Sequence, residues 1–331
     1  MMRSLLAVIL ITATPFAVAA PKLVQSDYES VLAVVLEHLT TDYVEADVGL
    51  AAADALRVSF DGERLATIPD GKTFAEALSR ELQSLTGDGH LNVEFSESPI
   101  KLSDEEESSS FDAGEMERYY GRHLNYGVQT ASRLDDNVGY IDLRVFAPID
   151  MGAATVTAAM NVVANTDALI IDLRRNGGGI GDMADLVASY LFDHQPKPLT
   201  GTYDRPTDTL TQRFTQAYVP GDRFGGQKPV YVLISKRTFS AAEALAYNLQ
   251  ALGRATIVGE TSGGGAHPFE YLPVHEHFVL WSVTAKSLNP ITGGNWQGVG
   301  VTPDIAVPAE DALEAALAHW QGGGESIESG E

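Results

Sequence analysis

The chain has 331 residues, 44% apolar and 20% charged, a composition that can bury a core large enough to offset the entropy of ordering and so excludes a wholly disordered polypeptide. Lys plus Arg number 22 against 45 for Asp plus Glu, a formal charge of −23, so a nucleic-acid backbone would be repelled over most of the surface. Cysteine is absent, which excludes disulfides, thiolate zinc sites and a cysteine nucleophile and leaves covalent chemistry to a serine or a carboxylate.

The start of the chain reads as an export signal: Arg3, an apolar run from Leu5 to Ile11, and Ala17-Val18-Ala19 in the small-x-small form of a signal-peptidase site. The run is interrupted at Thr12, Thr14 and Pro15 and falls short of the ~20 apolar residues that span a bilayer. Residues 1–19 are therefore expected to be cleaved, leaving a periplasmic or secreted protein without stable membrane insertion. Residues 21–93 carry helical periodicity, with Val31, Val35 and Leu39 in one segment and Phe74, Leu78, Leu82 and Leu85 in another, and predict a small helical domain. Residues 94–120 contain an acidic low-complexity run, Ser103 to Ser110, expected to be a solvated linker or loop, with calcium binding as the alternative.

Residues 121–310 alternate short apolar strands with helices, the pattern of an α/β layer structure. The expected strands are Val138 to Val145, Ala168 to Leu173, Val230 to Ile234, Thr256 to Val258 and Val279 to Val283, and the helices Met183 to Phe192 and Ala241 to Leu252. Residues 311–331 predict a C-terminal helix and a Gly, Ser and Glu rich tail that frays.

Two strand-to-helix turns could do chemistry. In Leu169 to Gly179 a buried strand runs into three glycines, which permit positive φ and bring backbone N–H groups close to an anion; the plain alternative is a tight turn. A phosphate loop fits poorly, because no Gly-Lys-Ser/Thr ending follows. In Val230 to Glu243, Ser240 sits where a helix begins, exposed above a sheet and favoured by the helix dipole. Ser240 and Glu243 are equally spaced as a capping box.

Taken together, the stretches Ile171 to Gly179, Thr238 to Glu243, Val258 to Thr261 and Gly298 to Ile305 resemble, in order, the motifs of the serine peptidase family that includes carboxyl-terminal processing peptidases, the tricorn core and the interphotoreceptor retinoid-binding protein modules. The resemblance spans about Gly139 to Val307. It implies an α/β fold with a crotonase-like (ClpP/crotonase-type) β/α core and a small N-terminal helical-bundle domain, a polypeptide substrate, and no metal or cofactor. It assigns Ser240 as nucleophile and the N–H groups of Ala241 and of the Gly177-Gly178 loop as the oxyanion hole.

The general base departs from the processing peptidases, whose lysine would fall on Gly264 or Gly265. No PDZ insertion is recognisable, so the chain is closer to the retinoid-binding-protein and tricorn-like branch. There the base is a histidine of the preceding domain, which Gly87-Asp88-Gly89-His90-Leu91 resembles, making His90 the expected base. A serine and a glutamate that orient the base in that branch are replaced here by Gly89 and Gln297. Asp88 is a candidate to compensate, and His267 is the rival base. His275 and His277 flank Glu276 and read as a hairpin, with metal binding as the weaker alternative. The expected function is an exported serine endopeptidase; the alternative is a catalytically weak or inactive binding module of the same fold holding an apolar ligand or peptide.

Overall fold

The computed structural model describes residues 22–100 and 113–323. The expected leader, the acidic run and the last eight residues lie outside them. Four helices come first, α1 (Gln25–Thr41), α2 (Ala46–Ser59), α3 (Gly62–Thr67) and α4 (Gly71–Thr86), then β1 (Asn92–Phe95) and α5 (Ala113–Tyr120). Strands and helices follow as β2 (Val128–Arg133), β3 (Val138–Leu143), α6 (Ile149–Val163), β4 (Ala168–Asp172), α7 (Gly181–Tyr190), β5 (Pro198–Asp204), β6 (Thr209–Phe214), β7 (Val230–Ile234) and α8 (Ala241–Ala251). The chain ends with β8 (Thr256–Gly259), β9 (Glu270–His275), β10 (Phe278–Ser282), β11 (Ala285–Leu288), β12 (Ile305–Ala306) and α9 (Ala312–Gln321). The fold is mixed α/β.

The main sheet has the order β12-β8-β7-β4-β3-β2, parallel from β12 to β3 and closed by an antiparallel β2. All five residues of β4 and all five of β7 are buried, because these central strands are covered on both faces. The period of two divides them: Leu169, Ile171, Val230 and Val232 pack with α6, α7 and α8, while Ala168, Ile170, Tyr231 and Leu233 pack with Ala312 and Ala316 of α9. Both central strands thus end at one edge of a rigid sheet, and the glycine turn and Ser240 stand there.

The N-terminal helices build a separate cluster. Val31, Val35, Leu39, Phe74, Leu78 and Leu82 are fully buried in it, whereas Leu85, in the last turn of α4, is exposed. Helix α4 starts on Asp70, whose carboxylate accepts the Thr73 N–H at 2.7 Å, and stops at Gly87, a left-handed cap (φ 67°) whose N–H donates to Gln83. The same cluster takes in Val93 of β1 and Phe278 and Leu280 of β10. Strands β1, β10 and β9 form an antiparallel sheet, with His275 and His277 around the β9–β10 turn, so a hairpin from late in the chain completes the packing of the first helices. This arrangement holds the residues after Gly87 against the end of the main sheet.

Candidate active site

The turns after β4 and β7 are laced together. Thr238 Oγ1 donates to Leu173 O (2.8 Å), Ser235 Oγ to Arg174 O (2.6 Å) and Phe239 N–H to Asn176 O (3.1 Å). Within this frame Ser240 adopts φ 53° and ψ −122°, a conformation that costs a non-glycine residue about 1–3 kcal/mol and turns its side chain out at the start of α8. The opposite turn approaches so closely that a Cβ on Gly178 (φ +107°) would lie 2.8 Å from Ser240 Cβ and 2.9 Å from Phe239 O. Glycine is required there twice over, for the torsion and for the space.

Glu243 is more than a helix cap. It is fully buried, and its carboxylate accepts Ser240 N–H (2.8 Å), Ser262 Oγ (2.5 Å), Gly264 N–H (2.6 Å) and Gly265 N–H (2.9 Å). Burial pushes its pKa up against the opposing pull of those four donors. The Ser240–Glu243 spacing read from the sequence as a capping box thus marks a carboxylate that also clamps the Gly263-Gly264-Gly265 loop onto the helix that Ser240 begins.

Gly177, Ser240, Ala241, Gly89, His90 and His267 line one cleft of about 550 Å³, so stretches from four parts of the chain meet there. The Gly178 N–H is turned to Asn176 Oδ1 (2.8 Å). Among the described residues, the N–H groups of Gly177 and Ala241 have no acceptor. Gln297 is not part of the lining: its Oε1 accepts the Ala266 N–H (2.7 Å) and its amide donates to Gly87 O (3.4 Å), so it ties the end of α4 to the loop before β9.

The two histidines differ in their partners. The His90 ring lies 4.8 Å from the Phe239 ring and 5.5 Å from Phe269, and its buried Nδ1 has no hydrogen-bond partner. Burial, with a smaller contribution from His267 and against the attraction of Asp88, lowers its pKa to about 4. His267 places Nδ1 2.7 Å from Asp88 Oδ2, and since a carboxylate only accepts, the proton sits on Nδ1. Burial opposes the Asp88 charge, but His267 and the His90 N–H (2.9 Å to Oδ1) outweigh it and hold the carboxyl below its ordinary value. Asp88 therefore reaches the ring of His267, not that of His90, whose Nδ1 stays 3.9 Å away.

Gly265, one of the two positions at which the resemblance would put the lysine, has no room for a side chain. A Cβ there would come 2.2 Å from the Phe239 ring and 2.7 Å from His90 Cε1. A side chain at this position and the His90 imidazole exclude one another. No residue type at 265 except glycine leaves the ring its present place, a signal visible in the sequence only as a departure from pattern.

A sequence profile described as peptidase family S41 matches residues 137–307, just over half of the chain and from the start of the β3 region to the end of β12. The carboxy-terminal-processing protease of Bartonella bacilliformis is 32% identical over 181 residues, 53% of this chain and 40% of that protein. The carboxy-terminal processing protease CtpB of Bacillus subtilis is 28% identical over 187 residues, 54% of this chain and 36% of that one. The chain thus spans about two fifths of the length of these relatives. Among solved structures, mature CPAF complexed with lactacystin matches with a TM-score of 0.60 at 12% identity, over 91% of this chain and 98% of that one, a likeness of fold. The matched segment carries both sheet-end turns and the glycine loop clamped by Glu243, and the chain belongs to peptidase family S41, a family of serine peptidases.

Proposed function

We propose that the protein is an exported serine endopeptidase acting on polypeptides, with Ser240 as nucleophile and His90 as general base. The observation that supports it most is that Ser240 and His90, 150 positions apart in the chain, line one cleft, with the His90 ring 4.8 Å from the ring of Phe239, the residue before Ser240. Export rests on the leader-like first residues alone.

In this reading the neutral His90 ring takes the Ser240 proton as Oγ attacks the scissile carbonyl. The N–H groups of Ala241 and Gly177 receive the oxyanion, each such donor being worth about a hundredfold to a thousandfold in rate. The imidazolium then protonates the leaving amine, while Asp88 at 3.9 Å stabilises its charge. Hydrolysis of the acyl-enzyme repeats the sequence, with water in place of the serine hydroxyl. Gly178 contributes by its missing side chain and by the bond that holds its N–H on Asn176.

The test is covalent labelling with a fluorophosphonate, followed by cleavage of an unfolded polypeptide. The adduct is expected on Ser240, absent in Ser240→Ala and slowed at least about a hundredfold in His90→Ala. Labelling that persists in Ser240→Ala, or a folded protein that neither labels nor cleaves, overturns the reading in favour of a binding module.

A further inference from the structure

We propose that Asp88 and His267 form a buried positioning pair that seats His90 against Ser240, with His267 acting through Asp88 and not as a base. The proposal rests on the Ser240–His90 reading and adds to it the means by which the imidazole is held. His90 itself has no hydrogen bond to its buried Nδ1 and touches its surroundings through aromatic rings, so its placement must come from the backbone that carries it. That backbone is held by Asp88, whose Oδ1 accepts the His90 N–H at 2.9 Å.

Asp88 has no exposed surface, and its second oxygen takes two donors, His267 Nδ1–H at 2.7 Å and Tyr43 OH at 3.2 Å. His267, 2% exposed, has its other nitrogen 4.0 Å from Glu45 Oε1, and Glu45 is in turn bound by Lys286 Nζ at 2.9 Å. Both ring nitrogens of His267 thus face carboxylates.

The pair also completes a path around the cleft. From Ser240 the chain of contacts runs to Glu243, from Glu243 to Gly264 and Gly265, along the backbone to His267, across to Asp88, and back to His90. Gln297 adds a parallel tie from Ala266 to Gly87. Nucleophile and base belong to segments that share no sheet, so this path of hydrogen bonds and backbone is what links them. A displacement of about 1 Å between reacting groups costs on the order of a hundredfold in rate.

The test compares His267→Leu with His267→Asn in the full chain. Asparagine keeps an N–H donor where Nδ1 stands but is no base. His267→Leu is expected to lower kcat about tenfold to a hundredfold with KM within about twofold, and to slow fluorophosphonate labelling in parallel. His267→Asn is expected to restore most of both. Equal and complete loss in the two folded variants would make His267 the base and overturn the proposal, as would native kcat in both. Should His267→Leu fail to fold, Asp88→Asn serves instead: it keeps the acceptor for the His90 N–H and loses the charge. A kcat drop of about tenfold at unchanged KM is expected, and native kcat refutes the pair. Fast labelling in His90→Ala would refute the underlying base assignment and is read separately from all of these.

Discussion

The two sides of the cleft are built by different means. On the sheet side, the turns after β4 and β7 are continuous with fully buried parallel strands, and their geometry is written in backbone torsions: φ 53° at Ser240 and +107° at Gly178. On the facing side, His90 follows the end of α4 and is held by side chains, among them Asp88 and the Phe239 and Phe269 rings. The sheet side is precise because neighbouring strands carry it. The other is as precise as its buried polar contacts, and it answers to charge and to pH.

The sheet side is most sensitive at Gly178. Gly178→Ala forces a Cβ against Ser240 Cβ and Phe239 O in a torsion that L residues avoid, so fluorophosphonate labelling is expected to fall at least about a hundredfold while the circular dichroism of the fold remains. An alanine variant that labels at the native rate would show that backbone fit does not govern the sheet side. The next effect sharpens the contrast at the hinge between the sides. Glu243→Gln has one acceptor oxygen for four donors; at about 2 kcal/mol for each of two donors left without a partner, unfolding in urea is expected to show a loss of about 4 kcal/mol. An unchanged midpoint would mean that the carboxylate does not join them.

The smallest effect concerns acid and is read at His90. Its folded pKa, about 4, lies below the ordinary value near 6.5, so the unfolded chain binds the extra proton between these pH values. The stability owed to the neutral ring is present above about pH 6.5 and is lost as the pH falls toward 4, by at most about 3 kcal/mol. Urea midpoints taken across that window should decline with acid in the native chain and decline less in His90→Gln. Equal slopes in the two proteins would remove the burial argument for His90. In the same window Asp88, whose pKa is lowered, retains its charge and contributes its loss of stability only at lower pH.

What could be read along the chain follows the same division. Ser240, Ala241 and the glycine turn were legible because strand, turn and helix are consecutive there, and the torsions they need leave residue signatures. The Asp70 start and Gly87 stop of α4 obey equally local rules. Glu243 was half legible: its bond to the Ser240 N–H is a matter of spacing, whereas its three donors from residues 262–265 come from beyond β8. The capture of the Gly178 N–H by Asn176 was hidden for a different reason, since a side-chain amide two residues away competes for a donor that pattern alone would leave to the substrate.

Local residue order specifies the pieces: buried strands whose period of two lets both faces be covered, helices with their caps, and one serine and one run of glycines at the ends of adjacent strands. Which histidine meets which carboxylate was decided only in three dimensions. Asp88 sits two residues from His90 and 179 from His267, yet its short contact is to the distant ring, because the hairpin β9–β10 packs onto the first helices and brings the loop before it into reach. Spacing along the chain sets which groups are able to meet within a turn or a helix; across the cleft, the buried apolar area that docks one segment on another sets it instead.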